Sequence, residues 1–198
     1  MSSTPAEGAA QPAATHRLFF ALVPDPATRE RLAHAGEALA ASRPGLRLRR
    51  VHPARYHATV HFLGNDTALR SGLVDAAVAA AGTVRGAPFA WTLDSVASFH
   101  GRQPPCVLRG TAMPAALQQL WQTLGHALLL NGLGGHLERC FIPHVTLAYS
   151  HGAMLEPAPV APIVWPVADF ALLHSVVGQG GYRMLGRWAL TQGQPAPA

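Results

Sequence analysis

Apolar residues recur along the chain in two rhythms: short stretches that are continuous or alternate with polar positions, and longer segments with apolar positions three and four apart. RLFFALV at 17–23 is a run of aromatic and aliphatic residues that stops at Pro24, as a buried strand does. Asp25 then caps a predicted helix. In DPATRERLAHAGEALAAS, Pro26 suits the first helical position, Leu32, Gly36 and Leu39 fall near one face, and Pro44 and Gly45 end it. LRLRRV at 46–51 alternates apolar and basic residues, and YHATVHFLG follows Pro53; the two are expected to be neighbouring strands. An Ala-rich helix is predicted over 68–81, strands over 91–99 and 106–112, and a second long helix from about Ala115 to Leu130, stopped by Asn131 and Gly132. PHVTLAY at 143–149 reads as a strand, the Pro-rich stretch after it as a loop, and VADFALLHSVV and YRMLGRWAL as two strands joined by GQGG.

The order strand, helix, strands, helix, strands predicts an α+β fold with antiparallel sheets, not a doubly wound one, in which helices and strands alternate throughout. It also contains a weak internal repeat. Each half has a helix beside strands, and each contributes one strand with the pattern His, any residue, Thr, apolar: His57-Ala58-Thr59-Val60 and His144-Val145-Thr146-Leu147. Two similar lobes meeting face to face would bring these strands to one place.

In a strand, residues i and i+2 face the same side, so each motif offers an imidazole beside a hydroxyl. Two such pairs suit phosphodiester chemistry. In-line displacement at phosphorus needs a base on the attacking oxygen and an acid on the leaving oxygen, and imidazole serves either role near neutrality, with both limbs of the pH profile expected there. Thr59 and Thr146 would hold the non-bridging oxygens without a metal. The other nine histidines lack the pattern. His61 stands four residues after His57, a zinc-ligand spacing on a helix; the strand context and the missing metalloprotease Glu argue against that, so no metal is expected and His61 is read as a satisfied, pocket-lining residue. The competing metal-dependent reading, with His57 and His61 as ligands, predicts loss of activity on chelation.

Composition narrows the chemistry. All fifteen basic residues are arginine, which removes P-loop, Schiff-base and nucleotidyl-lysine mechanisms, each of which needs a lysine. The net charge of +5 favours an anionic partner, nucleic acid or a nucleotide phosphate. Arg47, Arg49, Arg50 and Arg55 precede the first motif and suit either RNA contact or a solvated edge strand. Phe19 and Tyr56 are candidates to stack on a base, with core packing the alternative. With 49% hydrophobic and 13% charged residues, 198 residues supply one sizeable core or two small lobes sharing one. Residues 17–190 are expected to form that single domain, between flexible tails at 1–16 and 191–198. The start has no secretory pattern and no apolar run is long enough to span a membrane, so a cytoplasmic protein is expected, with Cys106 and Cys140 reduced.

HATVHFLG and PHVTL, with RLFFALVPDPATRERL near the start and YRMLGRWAL near the end, resemble the two-histidine phosphoesterases, specifically the bacterial RNA 2',3'-cyclic phosphodiesterases, also described as 2'-5' RNA ligases. The resemblance spans about residues 17–190. It implies a bilobal fold with the active-site cleft between pseudo-symmetric halves, no cofactor, and an RNA end bearing a 2',3'-cyclic phosphate, or a related nucleotide, as partner, with no obligate protein partner. His57 and His144 would be the catalytic pair and Thr59 and Thr146 the phosphate-binding residues. His57 would protonate the leaving 3'-oxygen and His144 activate water. Relatives often carry a basic residue after the second motif, where this chain has Tyr149 and Ser150; Arg183 or Arg55 is the expected substitute. A catalytically weak RNA-end or nucleotide-binding module of the same fold is the alternative.

Overall fold

The computed structural model of the chain describes residues 14–191. Most of the two expected tails therefore lies outside the described residues, and their inner ends are structured: His16 opens the first strand, and Thr191 bridges to Gly86. In chain order the elements are β1 (His16–Leu22), α1 (Pro26–Ser42), β2 (Arg49–Arg50), β3 (Ala58–Asp66), α2 (Ser71–Thr83), β4 (Phe89–Ser98), β5 (Pro105–Arg109), α3 (Ala115–Leu130), β6 (Val145–Tyr149), β7 (Ala158–Val167), β8 (Asp169–Val176) and β9 (Arg183–Ala189). The α+β reading holds. All strand pairings are antiparallel, in one sheet ordered β3-β1-β8-β9 and a second ordered β2-β6-β5-β4-β7.

The first sheet draws β1 and β3 from the start of the chain and β8 and β9 from its end, so the halves close over one another. One apolar core takes in both sheets and all three helices, from Phe20, Leu22 and Phe170 on the first sheet to Trp91, Leu108, Leu147 and Trp165 on the second, with Leu32, Leu117 and Leu128 from the helices. Each wholly buried side chain of this size contributes about 1.5–3 kcal/mol relative to exposure. On α1, Asp25 caps the helix by accepting from the Thr28 backbone N–H at 3.0 Å, and Leu32, Gly36 and Leu39 form its buried stripe, as the periodicity predicts.

Two local expectations change. LRLRRV forms only the two-residue β2, and it pairs with β6, not with β3, which pairs with β1. The two segments flank Pro53, whose short 3-10 turn at Pro53–Arg55 redirects the chain from one sheet to the other. The Pro-rich stretch expected as a loop contains β7: Ile163, Trp165 and Val167 point inward while Pro162, Val164 and Pro166 point out. β7 is the last strand of its sheet, where a proline's missing N–H breaks no ladder. Trp165 stacks on Trp91 of β4 at 5.6 Å, locking the edge to the core.

Candidate active site

β3 ends the first sheet and β6 lies one strand in from the edge of the second; the two approach each other across the seam between sheets. Each histidine of the repeated motif sits one residue before its strand. The environments match closely. His57 Nδ1 lies 2.8 Å from the Arg55 carbonyl oxygen and His144 Nδ1 lies 2.7 Å from the Ile142 carbonyl oxygen, in both cases two residues back. A carbonyl only accepts, so Nδ1 carries the proton in both rings and Nε2 is left for chemistry. Each ring also leans on an aromatic side chain: His57 on Phe19 at 5.1 Å and the edge of Tyr182 at 5.0 Å, and His144 on the edge of Phe99 at 4.7 Å.

The repeat extends into the strands. Opposite β1, Ala21 pairs with Thr59 but Phe20 with His61, so Val60 is an extra residue; opposite β5, Val107 pairs with Thr146 but Cys106 with Ala148, so Leu147 is extra. Both strands therefore bulge immediately after the motif threonine. Burial follows suit, running buried, intermediate, buried, buried, intermediate from Ala58 to Phe62 and again from Val145 to Tyr149. The bulge reverses the phase of alternation. Phe62 and Tyr149 come to the same side as Thr59 and Thr146, while His61 and Ala148 turn away.

His61 is satisfied and lines a pocket, as the sequence suggests, but it lies in the smaller space beside His144 and not in the cleft that His57 lines. It is buried, its Nε2 bonds the Trp121 carbonyl at 2.8 Å, and its ring stacks on Trp121, which stacks in turn on Phe141. His57 and His61 face different spaces. Among the described residues, no three His, Cys, Asp or Glu side chains gather into a metal-ligating set.

A cleft of about 440 Å³ opens beside the motifs, lined by His57, Thr59, Thr146, Phe19, Phe62, Tyr149 and Tyr182, and by Arg17, Arg49, Arg50 and Arg55. Among the described residues, no carboxylate lines it. His144 stands at its boundary, in a smaller pocket of about 170 Å³ that shares Thr59 and Phe62 with the cleft. The imidazoles are close enough for a charge on His144 to depress the His57 pKa. Burial is the main influence on both, lowering each below the ordinary histidine value against the opposing hydrogen bonds to Arg55 and Ile142. Both rings are thus set neutral in the free protein. Burial raises the Tyr182 phenol, which stays a protonated donor.

Two residues singled out from the sequence fall outside the cleft. Tyr56 is core: 3% exposed, it packs its phenol against α1, where a Cβ on Gly36 would stand 3.2 Å from its hydroxyl. The alternation that sets Thr59 beside His57 sends Tyr56 the other way. Arg183 is exposed at the start of β9, opposite His174, and does not line the cleft; Tyr182 before it does. Arg17, Phe99 and Tyr182 went unread in the sequence, the first because a lone arginine carries no signal, the others because strand-end aromatics are indistinguishable from core.

Comparison with known proteins shows what this geometry is similar to. Residues 22–108, which include the first motif, match the family model described as LigT-like phosphoesterase. Over that stretch the chain is similar to the LigT-like phosphoesterases. Among solved structures, Escherichia coli LigT complexed with 3'-AMP superposes with a TM-score of 0.72 at 29% identity, covering 90% of this chain and 99% of that one. A structure described only as a phosphoesterase reaches 0.71 at 27% identity, covering 89% and 99%, and a protein of Thermus thermophilus reaches 0.69 at 25%, covering 88% and 97%. The second motif lies beyond the family-model match but within a chain that shares the LigT fold across most of its length. No curated protein matches the sequence. Among the described residues, no helix is long and apolar enough to cross a membrane.

Proposed function

We propose that the protein hydrolyses the 2',3'-cyclic phosphate at an RNA end to a 2'-phosphate, by acid–base catalysis between His57 and His144 and without a metal or cofactor, in the cytoplasm. The observation that carries this reading is the matched pair of motif strands: both Nδ1 atoms are committed to backbone carbonyls, and both Nε2 atoms are left for substrate. The nucleotide-bound neighbours support it, since E. coli LigT has been crystallised with 3'-AMP, ATP, NADP+ and phosphate.

In this reaction water attacks phosphorus as His144 Nε2 takes its proton. The bond to the 3'-oxygen breaks as that oxygen takes a proton from His57 Nε2, and phosphorus stays on the 2'-oxygen. Thr59 and Thr146 donate to the non-bridging oxygens, whose charge grows in the transition state. One imidazole must be charged and one neutral. The anionic substrate supplies the missing condition, because its arrival raises both lowered pKa values and lets one ring take up a proton. Ligation, in which a 5'-hydroxyl attacks phosphorus in place of water and the 3'-oxygen again leaves to give a 2'-5' linkage, uses the same groups and needs no ATP.

The test is product identification. An oligonucleotide with a 2',3'-cyclic phosphate end, incubated with the protein in chelator, is expected to yield the 2'-phosphate. A 3'-phosphate would reverse the leaving group, and tight product binding without turnover would establish the alternative, an RNA-end binding module.

A further inference from the structure

The cleft carries more positive charge than this reaction uses. A 2',3'-cyclic phosphodiester bears one negative charge, and the two motifs surround one phosphorus position. Four arginines line the same cleft. Arg50 is answered by Glu37 at 2.8 Å, and Arg49 lies over the Tyr149 ring at 5.0 Å with Gln103 at 3.5 Å. Arg55 differs. Like Arg17 it forms no ion pair with any described carboxylate, and of the four cleft arginines it alone has its Nε–H buried without a hydrogen-bond partner among the described residues, an arrangement that costs about 1–3 kcal/mol.

The guanidinium of Arg55 instead lies 5.2 Å over the ring of Tyr182, whose edge meets His57 at 5.0 Å. Arg55 is therefore separated from the reacting imidazole by at most those two spacings laid end to end, short enough for consecutive phosphates of one strand to reach both. Gly178 and Gly180, at φ 88° and 69°, make the turn that brings Tyr182 over the cleft, a backbone path other residues seldom take.

Resting on the reaction proposed above, we infer that Arg55 and Tyr182 form a second phosphate subsite, for the phosphodiester that precedes the terminal cyclic phosphate, so that the protein prefers an oligonucleotide end to a mononucleotide. The planar guanidinium suits two phosphate oxygens at once, and Tyr182 provides a further O–H donor.

The experiment compares kcat and KM for a nucleoside 2',3'-cyclic monophosphate and a trinucleotide with the same end, in the wild type, Arg55→Gln and Arg55→Lys. The wild type is expected to favour the trinucleotide. Arg55→Gln should lower kcat/KM for the trinucleotide by about tenfold or more relative to its effect on the mononucleotide, mainly through KM. Arg55→Lys should recover part of the loss, and the salt slope for the trinucleotide should fall by about 0.7 in Arg55→Gln. Equal losses on both substrates through kcat, or no loss on either, would overturn the subsite. Binding of the two 2'-phosphate products, measured by calorimetry, separates this from failure of the reaction. If the wild type hydrolyses neither substrate, the proposed function falls, yet an Arg55-dependent preference for the trinucleotide product supports the subsite and equal affinities overturn it.

Discussion

Replacing Thr146 by Val tests whether the motif threonines act on the transition state. The substitution keeps the β-branched shape and strand preference at a position paired with Val107, and removes only the hydroxyl. A hydrogen bond to a charged group is worth about 1.5–3 kcal/mol. At about 1.4 kcal/mol per tenfold, deleting one that strengthens as charge develops on phosphorus slows turnover by roughly 10- to 150-fold. Because the half-buried Thr146 lies outside the main core, the melting temperature should hardly move. The assay is steady-state hydrolysis of an oligonucleotide 2',3'-cyclic phosphate in chelator, with kcat and KM resolved. The expected signature is a fall in kcat with KM little changed, repeated by Thr59→Val. A change below about twofold, or one confined to KM, would show that the hydroxyls do not stabilise the transition state.

Burial lowers His57 and His144 alike, and the working enzyme needs one ring charged and one neutral, so kcat/KM should peak on the acid side of the ordinary histidine value, about 6.5, with the kcat profile shifted upward by bound anion. A kcat/KM maximum well above 7 would contradict this. His57, His61, His144 and His174 are all lowered, chiefly by burial, so the unfolded chain binds more protons below about pH 6.5; stability is fully present above that value and is lost as pH falls. Denaturant midpoints at pH 7.5 and 5.5 check the sign, and a midpoint that rises on acidification would refute it. Trp165→Ala, which empties a 1% exposed site stacked on Trp91, should destabilise by about 3–5 kcal/mol in denaturant unfolding, and a loss below about 1 kcal/mol would mean that β7 is not locked to the core.

Much of this was legible in the sequence because one rule, alternation, governs strands. It placed Thr59 beside His57 and Thr146 beside His144, and read strictly it also turns Tyr56 away from His57. What alternation alone could not supply were the bulges at Val60 and Leu147. Neither has the glycine or turn residue that announces a bulge, because the irregularity is imposed by pairing with β1 and β5. Those bulges decide that Phe62 and Tyr149 line the cleft beside Thr59 and Thr146 and that His61 does not. β7 was hidden for a different reason, since its prolines argue against a strand until its edge position is known. The basic cleft was half visible: Arg49, Arg50 and Arg55 stand in sequence before the first motif, but Arg17 joins them only because β1 lies beside β3.

The central claim is that two histidines from two halves of the chain form one acid–base pair. It is tested most directly by hydrolysis of a 2',3'-cyclic phosphate oligonucleotide in chelator by wild type, His57→Ala, His144→Ala and the double variant. The account predicts losses of at least about 10²-fold for each single variant, with the double variant little worse than either, as for residues that act as a unit. Undiminished turnover in either single variant would contradict it.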